Sequence, residues 1–300
     1  MGKRREKSQA AMEYLTTYGW AILVVAVVLV ALYAFGIFNV NNLAPRAQPG
    51  SCQVYKQAGL PSTLGGQCST DTLPQFVLDL PFCGSCAGNT GYSGPMSNII
   101  IPFTVSFWTD VISGSGNSND RFFTFNQENL VIDNNGGSST SYQIRVPCGT
   151  SGCSYPGTGD VFQDNEWYMF TLVFTSTTSV LLYVNGAYYA TISPSSADAL
   201  ASTYTNLAIS RLGGNGGCTS PCNWNGYMSN IQIYNTSLPA SDISSLYNEG
   251  IGGAPIDLNY LAGWWPLNGN MNDYSGSGNS GTVYSDASFT SNWTSGYNSP

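Results

Sequence analysis

The chain has no histidine, and only 9% of its residues are charged. Without histidine it lacks the side chain that most often serves as general base at neutral pH and as zinc ligand. Glutamate beyond residue 13 is confined to Glu128, Glu166 and Glu249, and none has an acidic partner two or four positions away on a predicted strand. Asp164 and Glu166 fall in a turn ahead of Trp167. A retaining glycosidase needs two carboxylates about 5–5.5 Å apart; with no nucleophile motif either, no enzymatic activity is expected. Basic residues are also few, Lys and Arg numbering 9 against 17 Asp and Glu, for a net charge of −8. Their one cluster is Lys3-Arg4-Arg5-Glu6-Lys7, and the remainder of the chain repels nucleic acid and anionic lipid. From residue 14 to residue 45 charge is missing altogether.

That uncharged stretch contains a run of apolar residues and glycine only, WAILVVAVVLVALYAFGIF, at 20–38. As a helix rising about 1.5 Å per residue it reaches roughly 28 Å, the thickness of a bilayer core. Basic residues beside a spanning segment stay in the cytoplasm, which places the N-terminus inside and everything after Phe38 outside. A cleaved secretory signal has a shorter apolar core, roughly 7–15 residues, with a small-residue site behind it. Neither fits this run.

Ahead of the run stands Lys7-Ser8-Gln9-Ala10-Ala11-Met12-Glu13-Tyr14. With the basic patch before it and the apolar helix after it, this stretch resembles the class III signal of archaeal type IV pilins. The resemblance implies a prepilin peptidase cutting between Ser8 and Gln9 on the cytoplasmic side, a mature chain with Glu13 as its fifth residue, and helices stacking with those of identical or related subunits. The position before the cut is most often Gly in that family, and here it is Ser8. A carboxylate at the start of a membrane helix is costly to bury unless it finds a cation. In the implied filament the new α-amino group of a neighbouring subunit supplies one. The alternative is that Glu13 is a solvated flank residue, favoured by the dipole of the helix N-terminus. Cleavage would leave five basic and sixteen acidic residues.

Residues 49–300 have the size of one β-sandwich domain and are rich in Gly, Ser, Asn, Thr, Tyr and Val, an all-β, extracellular composition. All of the cysteines, Cys52, Cys68, Cys83, Cys86, Cys148, Cys153, Cys218 and Cys222, lie beyond the apolar run. An even count confined to the external side reads as disulfides, with Cys148–Cys153 and Cys218–Cys222 as short staples and Cys52–Cys68 and Cys83–Cys86 as the remaining pairs. The alternative is a zinc or redox site at Cys83-Gly84-Ser85-Cys86, but zinc would need two further ligands and a βαβ setting is lacking. Asn235 and Asn292 open Asn-x-Ser/Thr sequons.

Residues 39–50, with Pro45 and Pro49, read as a short stiff connector. Beyond it, β-branched and aromatic runs at 75–80, 103–108, 121–125, 130–133, 141–146, 167–175, 179–184, 188–192, 205–210 and 226–234 are predicted strands, which implies a sandwich or barrel. The run at 167–175 carries large apolar residues on both faces and should be central. Asn185-Gly186 tolerates the positive φ angles of a type I′ turn and predicts a two-residue hairpin. Residues 238–248 predict one helix, with Ser241 as N-cap, Ile243, Leu246 and Tyr247 on one side and Gly250 just past its end.

The series FTVSFW, WYMFTLVF, LLYVNGAYY, LAISRLGG and WNGYMSNIQIYNTSLPASDISSLYNEG, from about residue 75 to 250, resembles the laminin G-like, concanavalin A-like sandwich family. LAGWWPLNGNMNDYSGSGNSGTV, at 261–283, resembles a phrase that usually opens that domain, so here the C-terminal segment should complete the sandwich from the other end of the chain. The expected architecture is a long N-terminal α-helix followed by an all-β concanavalin A-like (laminin G-like) β-sandwich: a leader at 1–8, helix and connector at 9–48, and sandwich at 49–300. The resemblance further implies saccharide binding and a structural Ca²⁺, with Asp273 and Asn230 at the matching metal positions. Ca²⁺ takes about 6–8 oxygens, and an Asn in place of a carboxylate weakens such a site; the plainer reading of Asn272-Asp273 and Ser275-Gly276 is a pair of turns. Trp224 and Tyr155 are the carbohydrate-binding candidates, with Trp264, Trp265 and Trp293 as further aromatics in loop context. The expected function is a pilus-like filament subunit that displays a lectin-like adhesive domain at the cell surface, inserted in the membrane before assembly. The rival expectation is a monomeric, membrane-anchored, glycan-binding surface protein.

Overall fold

The computed structural model describes residues 18–32, 45–68, 72–81, 92–112, 120–125, 128–134, 142–149, 152–154, 163–194, 200, 202–209, 225–283 and 287–300. The chain divides into two compact units, Met1–Ala44 and Pro45–Pro300. In the first, residues 18–32 form a helix, α1, built largely of Val, Ala and Leu with no proline to interrupt it. Its apolar side chains are exposed on every side, Trp20 at 69% and Ile22 at 70%. Among the described residues no helix is long and apolar enough to cross a membrane. The predicted continuation of the helix to Phe38, and the predicted processing and assembly residues Ser8, Gln9 and Glu13, lie outside the described residues.

The strands of the second unit are β1 (Arg46–Ala47), β2 (Cys52–Tyr55), β3 (Thr63–Gly66), β4 (Leu73–Pro74), β5 (Val77–Leu80), β6 (Tyr92–Ile100), β7 (Phe103–Val111), β8 (Asp120–Phe125), β9 (Glu128–Asn134) and β10 (Tyr142–Gly149). They continue with β11 (Gly152–Ser154), β12 (Trp167–Ser176), β13 (Ser179–Val184), β14 (Ala187–Ile192), β15 (Thr203–Ile209), β16 (Gly226–Tyr234), β17 (Leu261–Trp265), β18 (Thr282–Val283) and β19 (Ser288–Thr290). A helix, α2 (Ala240–Asn248), lies between β16 and β17. Two sheets make the sandwich. A seven-stranded one runs β11-β10-β9-β8-β15-β6-β18, and an eight-stranded one runs β14-β13-β12-β7-β16-β5-β19 with β17 beside β16.

Strand alternation sorts the side chains between two cores. From β7 and β12, Phe103, Val105, Phe107, Phe170, Leu172 and Phe174 point inward and join Phe123, Phe125, Tyr204 and Leu207 of the facing sheet. The opposite face of the eight-stranded sheet is covered as well, which is why β12 is buried on both sides as its composition predicts. There Trp108 stacks on Tyr247 of α2 at 5.7 Å, and Trp167 meets Trp293 edge-on at 5.6 Å and donates its indole N–H to the Trp293 carbonyl at 2.9 Å.

Asn185 and Gly186 adopt φ of 48° and 76°, the two positive angles of a type I′ turn, and join β13 to β14 as expected. Helix α2 begins one residue earlier than its predicted cap. Pro239 is the N-cap, with no side-chain cap bond, and its carbonyl accepts from the amides of Asp242 and Ile243. Ser241 is therefore inside the helix, its hydroxyl donating to Asp242 Oδ1 at 3.0 Å. The predicted connector also differs in part, because Arg46 and Ala47 pair in parallel with Leu73 and Pro74. The Arg46 guanidinium donates to the Pro74 carbonyl at 3.0 Å and lies 5.1 Å above the Trp293 ring. β17 pairs with Ile231–Tyr234 of β16 while β5 pairs with Gly226–Met228 on the same strand, and β18 crosses to β6 in the other sheet.

Cys52 and Cys68 are joined in a disulfide that clasps the β2–β3 hairpin. Gly149 pairs with Gly152 at the β10–β11 turn, so the backbone carries Cys148 and Cys153 on neighbouring strands next to that pair. Cys83, Cys86, Cys218 and Cys222 lie outside the described residues. The Cys52–Cys68 bridge spans a sequence separation of 16, and closing a loop of about that length is worth roughly 3 kcal/mol in the chain-entropy model. A Cys52→Ser/Cys68→Ser variant should melt roughly 6–12 °C lower while staying folded at ambient temperature. A melting curve identical to that of the parent would show that the bridge carries no stability.

Candidate functional site

β16 holds the most informative departure from regular strand geometry. Its pairing with β7 slips between Ser229 and Gln232, and Asn230 at the slip has φ of 49°, the left-handed region that Asn tolerates better than most residues. Met228 before the bulge and Ile231 and Ile233 after it all face the inner core. The extra residue also lets Asn230, Gln232 and Tyr234 turn outward together. The Asn230 amide donates to the Gly253 carbonyl at 2.9 Å, and its oxygen accepts from Gln232 at 3.0 Å and from the Trp264 indole at 2.8 Å. The Tyr234 hydroxyl donates to Gln232 at 2.6 Å and accepts from the Ile256 amide at 3.2 Å. Burial pushes the Tyr234 phenol well above its ordinary pKa, so the hydroxyl stays protonated and keeps donating.

Asp273 anchors the other side of β17. Its Oδ1 accepts from the backbone amides of Trp264 at 3.0 Å and Ser275 at 2.8 Å, and its Oδ2 from the amide of Asn279 at 2.8 Å. The Lys56 ammonium donates to Ser277 at 2.8 Å and to the carbonyl of Leu261. Burial lowers its pKa, against the opposing pull of the Asp273 charge. Trp264 thus lies between the predicted metal positions, held by Asn230 through its ring and by Asp273 through its backbone.

These residues do not fit calcium. The Asn230 oxygen already accepts two N–H groups and Asp273 Oδ1 two more, whereas Ca²⁺ takes about 6–8 free oxygens. Among the described residues no group of three or more His, Cys, Asp or Glu side chains is placed to hold a metal. The predicted aromatics fare unequally. Trp264, Trp265 and Trp293 are packing residues, each at most 3% exposed; Trp224 and Tyr155 lie outside the described residues. Asn235 and Asn292, the sequon residues, are both exposed.

Beside the Asn230–Trp264 contact lies a small cleft of about 40 Å³. Its inner wall includes Trp264, Ile251 and Pro266, and the Cys52–Cys68 bridge forms part of its side. Asn230 and Asn268 also line it. Asn268 is committed to the fold, accepting from the Phe76 amide and donating to the Ala47 carbonyl, both at 2.9 Å.

A second polar group crosses the end of the eight-stranded sheet, where Asp79 of β5 and Asp110 of β7 flank Tyr227 of β16 in register. Burial, and then the charges of Asp79 and Asp110, raise the Tyr227 pKa, and burial raises that of Asp79. Reading along single strands does not find this arrangement, since each acid comes from a different strand. Glu166 accepts from the Tyr168 hydroxyl at 2.7 Å, and burial followed by that bond pushes the Tyr168 phenol up to about 12.

A family model described as Laminin_G_3, concanavalin A-like lectin/glucanases superfamily, matches residues 95–244. Among solved structures, the heptameric SAP-like pentraxin of Limulus polyphemus is similar at 14% identity with a TM-score of 0.50, over 72% of this chain and 94% of that one. A Bacteroides ovatus protein named, provisionally, for carbohydrate binding is similar at 15% identity with a TM-score of 0.50, over 79% of this chain and 65% of that one. At these identities the likeness concerns the fold. No curated protein sequence matches the chain.

Proposed function

Because the chain belongs to the concanavalin A-like lectin/glucanases superfamily, we propose that its sandwich binds carbohydrate at the cell surface without cleaving it, and that its N-terminal segment assembles the chain into type IV pilus-like filaments. The observation that carries the filament half is α1. Trp20, Ile22, Leu23, Val27 and Val30 are all at least 53% exposed, and leaving each such side chain in water forgoes about 1.5–3 kcal/mol. A helix that is apolar all round belongs in a bilayer or among other helices. The order of basic patch, Ser8-Gln9, Glu13 and apolar run supports both in turn, membrane first and neighbouring subunits after processing. The lectin half is supported by the family and by the fold shared with the Bacteroides ovatus protein. Against hydrolysis, Asp110 is 4% exposed, so a sugar has no access to an Asp79–Asp110 pair.

Mass spectrometry of the protein isolated from the cell surface is expected to give an N-terminus at Gln9, with the chain recovered in filaments visible by electron microscopy. An N-terminus at Met1 or Gly2 would sink the filament reading and favour the monomeric membrane-anchored lectin.

A further inference from the structure

We propose that Asn235 is a site of N-linked glycosylation open in the folded domain, and that folding closes the chain's second sequon, at Asn292. The inference rests on the cell-surface placement of the sandwich read above and goes beyond it by assigning a covalent modification. Asn235-Thr236-Ser237 and Asn292-Trp293-Thr294 are equivalent as sequence. Both asparagines are exposed, so exposure of the acceptor does not separate them either. The residues around them do, because a transferase must reach the carboxamide and the hydroxyl two positions on together, and the middle residue moves with both.

Asn235 stands in the bend just after β16. The buried Thr104 hydroxyl donates to the Thr236 carbonyl at 2.8 Å and accepts from the Leu238 amide at 3.0 Å, which fastens the backbone on either side of Ser237. The side chains needed for transfer stay available: Asn235 is exposed, Thr236 and Ser237 are partly exposed, and among the described residues the Asn235 carboxamide and the Ser237 hydroxyl make no hydrogen bond. The Asn235 amide donates to the Tyr260 carbonyl at 2.8 Å, which sets Tyr260, 55% exposed, beside the sequon. Its ring offers an apolar surface to the C–H side of the first sugar. At the other sequon the middle residue is an anchor. Trp293 is 0% exposed, edge-on to Trp167 at 5.6 Å and Tyr297 at 5.8 Å and 5.1 Å beneath the Arg46 guanidinium, and its carbonyl accepts from the Trp167 indole at 2.9 Å. Presenting Asn292 and Thr294 to an enzyme pulls that side chain out of its packing, whereas presenting Asn235 and Ser237 loosens a surface bend.

The co-reactant is an oligosaccharide carried on a polyprenyl phosphate. Asn235 Nδ2 forms a bond to the anomeric carbon, the bond from that carbon to the phosphate oxygen breaks, the lipid phosphate leaves with the electron pair, and one amide proton is released. The test gives such a donor and a single-subunit oligosaccharyltransferase that needs no flanking acid to the folded full chain in zwitterionic micelles, and supplies the same pair in membranes during cell-free synthesis of the chain. Peptide mass spectrometry should find the glycan on Asn235 alone in the folded chain and on both Asn235 and Asn292 in the chain modified during synthesis. Ser237→Ala should carry none at residue 235 in either arm. Transfer to Asn292 of the folded chain, or its refusal in both arms, would overturn closure by folding. No transfer to Asn235 of the folded chain would overturn the open site. In protein isolated from the cell surface Asn235 should be occupied; a bare Asn235 there would overturn the modification and leave the surface reading standing, whereas a chain missing from the surface would overturn that reading.

Discussion

Replacing Asp273 by Ala is expected to destabilise the sandwich by about 3 kcal/mol or more, since hydrogen bonds to a charged group are worth roughly 1.5–3 kcal/mol each. The carboxylate accepts three backbone N–H groups within 2.8–3.0 Å and ties the first turn after β17 to the strand itself. Water can replace some of these contacts because Asp273 is half-buried, which keeps the loss below the sum of three such bonds. Asp273→Asn should fall between the parent and the alanine variant, because one carboxamide group then turns N–H toward an N–H. For a domain of this size the alanine variant should melt roughly 6–12 °C lower. The same experiment separates the anchoring role from a metal role. Addition of EDTA or of Ca²⁺ should leave the parent's melting temperature unchanged; a Ca²⁺-dependent rise that disappears in Asp273→Ala would assign the residue to a cation.

The ten strands predicted from β-branched and aromatic runs correspond to β5, β7 to β10 and β12 to β16, because those residue types favour a pleated, half-buried surface. Asn185-Gly186 was legible for a different reason, a backbone requirement that few other dipeptides meet. β6 escaped because YSGPMSNII mixes Gly and Pro into the strand. Pro95 is tolerated there beside a register shift, where it faces Asn206 and the regular ladder is interrupted. Strands of two to four residues, such as β1, β4, β18 and β19, carry too little pattern to be seen and exist through their neighbours.

The site was less legible than the fold. The resemblance points to Asn230 and Asp273 as metal positions, but the residue type alone does not say whether an oxygen faces a cation or an N–H. The answer came from Trp264, Ser275 and Asn279, which lie near Asp273 in sequence, and from Gln232, two residues beyond Asn230. One signal for the bulge was available: Asn is poorly suited to a strand interior, and Asn230, Gln232 and Tyr234 alternate in a run otherwise rich in Ile. The cleft had no such signal, since its residues come from 47–74 and 230–268 and only the tertiary fold brings them together.

Phe103→Ala should cost about 3–5 kcal/mol, the range for removing a fully buried aromatic side chain. Phe103 is 0% exposed at the start of β7. It stacks on Phe174 of its own sheet at 4.2 Å with an interplanar angle of 6°, and meets Phe125 and Tyr204 of the facing sheet edge-on at 5.9 and 5.4 Å. The residue therefore joins the two sheets, and its removal forfeits contacts with both. Its neighbours are ring systems with only two side-chain torsions each, so they can collapse into the gap only partly, and the residual cavity adds to the lost transfer free energy. Tyr188→Ala provides the contrast: Tyr188 lies on the edge strand β14, 58% exposed, and its removal should change stability by no more than about 0.5 kcal/mol. Urea unfolding of the two variants, with equal m-values, would measure both numbers. A loss below about 1 kcal/mol for Phe103→Ala would mean that the sheets are not held together at this cluster.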